Sequence, residues 1–516
     1  MRRRARRQPP GLRLPPRIVV AGTRSGSGKT TVATGLMAAL AAAGLVVASA
    51  KVGPDFIDPG YHALATGRAG HNLDPWLQGA SATPALAARA ARSADLLVVE
   101  GVMGLFDGAA TPLDPDDAPA TPPDPDDAPA TPVDPDDGTD GDGHGAAPDE
   151  GYRGLPVAST AEVAALLDAP VLLVVDARGL SGSVAALVQG YARFHPAVRV
   201  AGVVLNRVGS DTHEALLREA LAGTGVSVLG ALRRDEAWHW RERHLGLVPV
   251  AEDAARLRRG VERLGEAVAA SCDLGAIVQL ARAAPARTVP DTLPVTEPGA
   301  PVRIALASGP AFSFVYPENL ERLAEAGATL LPFDPLTAEA LPAEVAGLYA
   351  GGGFPEVFAA ALGANEPLLA ALRARCGNDL VTWAECGGAL WLSRSLDGTP
   401  MAGVLPAAAR MTDRLHLGYR HATLRSACPL GPPGTRLRGH EHHYSQLEPA
   451  GEALSLAGRL GRGQDGFATP RLLATYLHVH LGADPAPAER FVAEAARATL
   501  GRSEGGCSPR AGNEAG

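Results

Sequence analysis

Two stretches of the chain concentrate residue types that handle phosphate and attack amides. Residues 17–31, RIVVAGTRSGSGKTT, pass from a β-branched run into a glycine turn and then into helix formers. A phosphate-binding loop needs that order, because backbone N–H groups close around phosphate oxygens while the helix N-terminus adds partial positive charge. The pattern GxxxxGK[ST] is met except at its first position, where Thr23 stands and Gly22 lies one place earlier. Gly26, Gly28, Lys29, Thr30 and Thr31 are the expected nucleotide contacts, with Lys29 at the β/γ-phosphates and the Thr30 hydroxyl on Mg2+. The plain alternative is a glycine turn that only caps a helix.

The second stretch is DLVTWAECGGALWLSRSL, residues 379–396, in which an apolar strand meets Cys386 and a Gly-Gly step into a helix. A nucleophile on such an elbow projects from its sheet, and the N–H of Gly387 is placed to bind an oxyanion. The helix N-terminus favours thiolate over thiol. Upstream, YAGGGFPE offers the amides of Gly352 and Gly353 for the other half of that hole. A candidate base lies in LLATYLHVHL, expected as one alternating strand with His478 and His480 on a common face. Taken alone, Cys386 reads more readily as a buried core cysteine; the elbow, the second glycine loop and the candidate base together favour catalysis.

Of 47 basic residues, only Lys29 and Lys51 are lysine. Where arginine serves almost everywhere else, two lysines within one short stretch mark places that need a compact ammonium. The elements that must carry these residues follow at α/β spacing. Apolar runs near 45–52, 95–102, 171–178 and 198–208 are separated by helical stretches, which predicts a mainly parallel sheet covered by helices on both faces. Ligands of such sheets gather at the carboxyl ends of the strands, a rule that selects Lys51, Asp55, Glu100, Asp107, Asp176 and Asn206. Asp55 and Asp58 share a Gly/Pro loop where paired carboxylates are costly unless they meet a cation or hydrogen-bond donors. A new strand at 302–308 opens a second α/β series after a Pro/Thr-rich linker at 284–301.

The expected organisation is an Arg-rich tail at 1–16, a nucleotide-binding domain at 17–283, the linker, a second domain at 302–500 and a tail at 501–516. Length (516 residues) and 46% hydrophobic content suffice for two cores. The net charge of −9 is unevenly placed: residues 109–150 hold thirteen acidic residues and no basic one, residues 1–17 hold seven arginines, and the rest sums to −3. The acidic segment repeats a Pro/Asp decapeptide (ATPLDPDDAP, ATPPDPDDAP) that forms no packed core and is expected as a solvated insert. Neither a nucleic acid nor a membrane is expected as partner. There is no long apolar run or signal-peptide core, and the five cysteines lack disulfide density or zinc spacing, so a cytoplasmic protein is expected.

These residues carry a resemblance. AGTRSGSGKTT, KVGPDFIDPGYH, HNLDPW, VVEGVMGLFDG, STAEVAALLDAPVLLVVDARG and HLGLVPV closely resemble the cobyrinate and hydrogenobyrinate a,c-diamide synthases of cobalamin biosynthesis, over about residues 17–500 apart from the acidic repeat. The first domain is in turn similar to dethiobiotin synthetase, and the TYLH strand to class I glutamine amidotransferases. Phe56 stands where the family often has Tyr, and GHEHHYS departs from GHEFHYS by His442. On a strand His440 and His442 share a face while His443 turns away, so pocket or structural histidines are expected there in preference to a metal site.

The resemblance implies an ATP- and glutamine-dependent ligase with Cys386 as nucleophile and His478 as its base. His480 stands where the ordinary triad has glutamate, which leaves the group that orients His478 open. It implies that Lys51, Asp55, Asp58, Glu100 and Asp107 serve activation or the corrinoid, that Thr30, Asp55 and Glu100 hold Mg2+, and that Asn206 meets the adenine. ATP, L-glutamine and hydrogenobyrinate or cobyrinate are the expected partners, with the cobalt content of the ring and the oligomeric state left open. The rival readings are cobyric acid synthase, which amidates other corrinoid side chains, dethiobiotin synthetase, which alone does not explain the second domain, and a partitioning-type ATPase switch. Arg24 stands in place of the switch proteins' signature lysine, and a switch has no use for Cys386.

Overall fold

The computed structural model describes residues 11–109, 152–234, 242–243, 246–247, 249–291 and 301–504. The acidic repeat and residues 244, 245 and 248 of HLGLVPV lie outside the described residues. Strand β1 (Leu12–Leu14) precedes a seven-stranded sheet made of β2 (Arg17–Gly22), β3 (Val47–Val52), β4 (Gly70–Leu73), β5 (Leu96–Glu100), β6 (Val171–Asp176), β7 (Val200–Val208) and β8 (Ser227–Arg233). Its order is β4-β3-β5-β2-β6-β7-β8, parallel throughout. Strands β2, β3, β5 and β6 are buried along their whole length. Covering both faces of the sheet leaves no room for polar alternation, hence runs such as VLLVV.

Helix α1 (Lys29–Ala42) is alanine-rich because it is covered on nearly all sides, by the sheet and by the helix Ala254–Ser271. The approach is close at two glycines. A Cβ on Gly35 would stand 2.5 Å from Val268, and one on Gly265 would stand 2.9 Å from the Ala38 Cβ.

The second domain has a six-stranded sheet in the order Ala328–Phe333, Val302–Ala307, Gly347–Ala350, Val381–Glu385, Leu472–Thr475, Phe467–Thr469, with the last strand antiparallel. Beside it lies an antiparallel sheet dominated by the long pair Ala408–Leu424 and Arg436–Glu448. Two α/β domains are thus present, as the sequence predicts.

Several expectations are corrected. The N-terminal tail does not extend to residue 16 and the linker is not free from 284, because β1 pairs antiparallel with Arg287–Val289. The last helix, Ala486–Glu504, runs past the expected end at 500. LLATYLHVHL is not one strand: Leu472–Thr475 belongs to the parallel sheet, the chain breaks at Tyr476, and His478–Val479 joins the antiparallel sheet opposite Gly439 and His440. The alternation of apolar residues continues through the break, so the pattern alone hides it.

Candidate active site

The phosphate loop leaves β2 and enters α1 through Gly26 and Gly28, both left-handed (φ 70° and 91°), a conformation that only glycine adopts without cost. The shifted first glycine has a steric reason. A Cβ on Gly22 would lie 2.2 Å from Ser27 Oγ and 2.8 Å from Lys29 Cγ. Ser27 Oγ is buried with no hydrogen-bond partner among the described residues, and Lys29 Nζ reaches only the Arg24 carbonyl at 3.4 Å. Donors held inward without acceptors fit a phosphate. Burial and the nearby Lys51 lower the Lys29 pKa to about 8, against the pull of Glu100, Asp58 and Asp107. Thr31 follows, half-buried in the first turn of α1.

Lys51 and Glu100 meet because β3 and β5 pair them in register. Lys51 Nζ lies 2.9 Å from Glu100 Oε1 and 2.7 Å from Asp58 Oδ2, and donates to the Gly101 carbonyl at 3.2 Å. Burial opposes its charge, but Asp58 and Glu100 more than offset that and hold the ammonium protonated. Glu100 is buried too, yet Lys51 and the adjacent His62 keep it well below the usual carboxylate range. Thr30 Oγ1 donates to Glu100 Oε1 at 2.5 Å and lies 3.3 Å from Asp58 Oδ2. The two lysines therefore lie at one site, where compact ammonium groups fit between buried carboxylates.

The expected trio of Thr30, Asp55 and Glu100 is corrected: Asp58 is the carboxylate beside Thr30. Asp55 Oδ1 accepts from the N–H groups of Ile57 (2.8 Å) and Asp58 (3.0 Å), forming the turn that starts α2 (Asp58–Thr66). His62 was not singled out by sequence reasoning. Its Nε2 is 2.6 Å from Glu100 Oε2. The available signal was its i,i+4 spacing from Asp58, which places both on one face of α2.

Asp107, on the exposed loop after β5, accepts from the Gly104 N–H at 2.7 Å and faces Lys29 electrostatically. Asp176 at the end of β6 gathers Arg24, Arg178 and Arg207 within 2.8–3.0 Å. Asn206 lies under the loop: its amide donates to the Ser27 carbonyl at 2.9 Å and its Oδ1 accepts from the Arg207 N–H. Both contacts are to backbone, so Asn206 braces the loop, and its second amide hydrogen and second Oδ1 lone pair are not used by them.

In the second domain Cys386 occupies φ 46°, ψ −105° between Val381–Glu385 and the helix Gly387–Leu392. A non-glycine residue there is strained, as on nucleophile elbows. Its N–H donates to the Thr475 carbonyl at 2.7 Å, and Gly388 has no room for a Cβ, which would lie 2.2 Å from the Ala350 carbonyl oxygen. Burial pushes the Cys386 thiol up, with the Gly387 N–H acting in the other direction. The thiol is thus protonated at rest and needs a base. A Cβ on Gly387 would lie 3.0 Å from the Gly353 nitrogen, so these two amides are neighbours at the elbow. Gly352 is corrected: its N–H donates to the Phe314 carbonyl at 3.0 Å, and its role is to give His478 room, since a Cβ would lie 2.5 Å from the imidazole Cε1.

His480, by contrast, faces the first domain, 3.0 Å from Gln78 Nε2 and 3.7 Å from Glu318. In the GHEHHYS strand, buried His440 stacks on His478, while His443 stacks on Tyr476 at 3.8 Å. No group of three or more His, Cys, Asp or Glu side chains placed to hold a metal ion occurs among the described residues. No helix there is long and apolar enough to cross a membrane.

Residues 18–248 match the CobQ/CobB/MinD/ParA nucleotide binding domain, and residues 303–486 match the CobB/CobQ-like glutamine amidotransferase domain. With the geometry above, that pairing defines a glutamine-dependent, amide-forming ligase. The chain is 47% identical over 512 residues to the hydrogenobyrinate a,c-diamide synthase of Streptomyces coelicolor, covering 92% of this chain and 97% of that one. It is 44% identical to the enzyme of the same name from Thermobifida fusca (93% and 96% covered). It is 40% identical to the cobyrinate a,c-diamide synthase of Syntrophotalea carbinolica (92% and 98%). The chain belongs to the hydrogenobyrinate and cobyrinate a,c-diamide synthase family.

Proposed function

We propose that the protein converts the a and c acetate carboxylates of hydrogenobyrinate to carboxamides, using one ATP and one glutamine for each. The observation that carries this reading is near-full-length likeness to enzymes named for that reaction, with the two half-sites intact. Relatives named for hydrogenobyrinate, at 42–47% identity, stand above relatives named for cobyrinate, at 37–40%, which favours the cobalt-free ring.

In the glutaminase half, His478 takes the proton of the Cys386 thiol and the sulfur attacks the side-chain amide of glutamine. The Gly387 and Gly353 amides meet the tetrahedral oxyanion. His478 returns the proton to the leaving nitrogen, giving ammonia and a thioester that water opens to glutamate. In the synthase half, a substrate carboxylate attacks the γ-phosphorus of ATP, ADP leaves, and an acyl phosphate forms. Ammonia then displaces phosphate to leave the amide. Lys29 lies where charge develops on the transferring group, and Lys51 holds Asp58 and Glu100 in place. The all-oxygen set of Thr30, Asp58 and Glu100 suits Mg2+, which when bound neutralises phosphate charge.

The test is mass spectrometry of purified enzyme with MgATP, glutamine and either hydrogenobyrinate or cobyrinate. The expected product loses about 1 Da per carboxyl converted and stops at two conversions, faster with hydrogenobyrinate. Turnover of ATP without conversion of either ring would refute the substrate assignment.

A further inference from the structure

His478 lacks the polar partner that normally orients a catalytic imidazole. It is fully buried, and neither ring nitrogen has a hydrogen-bond partner among the described residues. Glu385 approaches only to 3.8 Å, and its oxygens are engaged elsewhere, accepting from the Val479 N–H (3.0 Å) and the Tyr349 hydroxyl (3.1 Å). An imidazole without a directional partner takes its orientation from whatever packs on it. Two rings do so: His440, with centroids 5.0 Å apart and planes at 23°, and Phe56, at 5.0 Å and 51°.

His440 belongs to the glutaminase domain, but Phe56 comes from the synthase domain, on the loop that carries Asp55 and Asp58. Its ring is wedged against Phe314 (5.3 Å) and Tyr316 (4.5 Å) as well. The loop is pinned from behind by Asn72, whose amide donates to the carbonyls of Gly53 (2.9 Å) and Asp55 (2.8 Å). The Asn72 N–H in turn donates to Glu318 of the second domain at 2.7 Å. Within two residues, therefore, the loop places Asp58 on Lys51 and Thr30 on one side and Phe56 on His478 on the other.

We propose that Phe56 is a positioning residue for the glutaminase: its ring sets the orientation of His478 toward Cys386, so glutamine is hydrolysed efficiently only when the synthase loop 53–58 is in place. This rests on the reading of Cys386 and His478 as the glutaminase pair.

The test uses full-length Phe56→Leu, Phe56→Met and Phe56→Tyr, with wild type and Cys386→Ser alongside. Glutamine hydrolysis is measured with kcat and KM resolved, and amide formation is measured with glutamine and with ammonium. Phe56→Leu and Phe56→Met, which keep apolar bulk without a ring, are expected to lower kcat for glutamine hydrolysis about tenfold or more, with KM within about twofold. Ammonium-dependent amidation stays within about threefold, and Phe56→Tyr restores hydrolysis. Equal losses with both nitrogen sources, or wild-type hydrolysis in the folded Leu and Met variants, would overturn the proposal. Cys386→Ser separates the two failures: if it still uses glutamine, the glutaminase reading itself falls.

Discussion

Lys29 and Lys51 divide the electrostatics of the synthase site. Lys51 is locked between Asp58 and Glu100, whereas Lys29 is buried with a lowered pKa of about 8 and no carboxylate within bonding distance. Below that pH Lys29 is charged and attracts phosphate. Above it the free protein has lost the proton, and nucleotide binding must take one up. ATP affinity is therefore expected to weaken by up to about tenfold per pH unit above 8, measured by calorimetry from pH 7 to 9.5, while a Lys29→Arg variant shows no such slope. Lys51→Arg keeps the charge but puts a planar fork into a space closed by Asp58, Glu100 and the Gly101 carbonyl. It is expected to lower amidation about 100-fold or more while glutamine hydrolysis persists, in paired assays of the two half-reactions. That the two lysines mattered was legible from their rarity. Which loop carboxylate Lys51 would meet was not, because the turn at Asp55 decides that Asp58 faces inward.

At the scale of elements, the two glycine turns were the most legible features, since each needs glycine at fixed offsets for reasons of backbone geometry. The elbow offers the sharper test. Gly388→Ala would drive a methyl into the Ala350 carbonyl and force Cys386 off its strained conformation. The expected result is a loss of about 2–3 kcal/mol in urea unfolding and near-complete loss of glutaminase activity. Less legible was the strand break at Tyr476, because apolar alternation runs through it. That break moves His478 from the parallel sheet to the edge of the antiparallel one, next to His440. Sequence periodicity reports which face a residue shares with its neighbours, not which sheet it joins. The contact of Phe56 with His478 was invisible for a further reason: the two residues are more than 400 positions apart, in different domains.

At the scale of the molecule, HNLDPW and the residues after it join the two domains. Asn72 meets Glu318, Gln78 meets His480, and Trp76 packs on Tyr419 (4.5 Å) and His421 (5.1 Å). Asp74 is fully buried, accepts from the N–H groups of Trp76 and Leu77, and takes the Tyr419 hydroxyl at 2.7 Å. Asp74→Ala would leave those donors unsatisfied and is expected to cost about 2–4 kcal/mol, read as a lower urea midpoint. The central claim concerns the whole chain: ammonia made at Cys386 is used at the phosphate loop. The most direct measurement is amide formation by Cys386→Ser and Lys29→Met, each supplied with glutamine or ammonium. The account predicts that Cys386→Ser is inactive with glutamine and active with ammonium, while Lys29→Met forms amide from neither yet still hydrolyses glutamine. Failure of ammonium to rescue a Cys386→Ser protein that still binds ATP would contradict it.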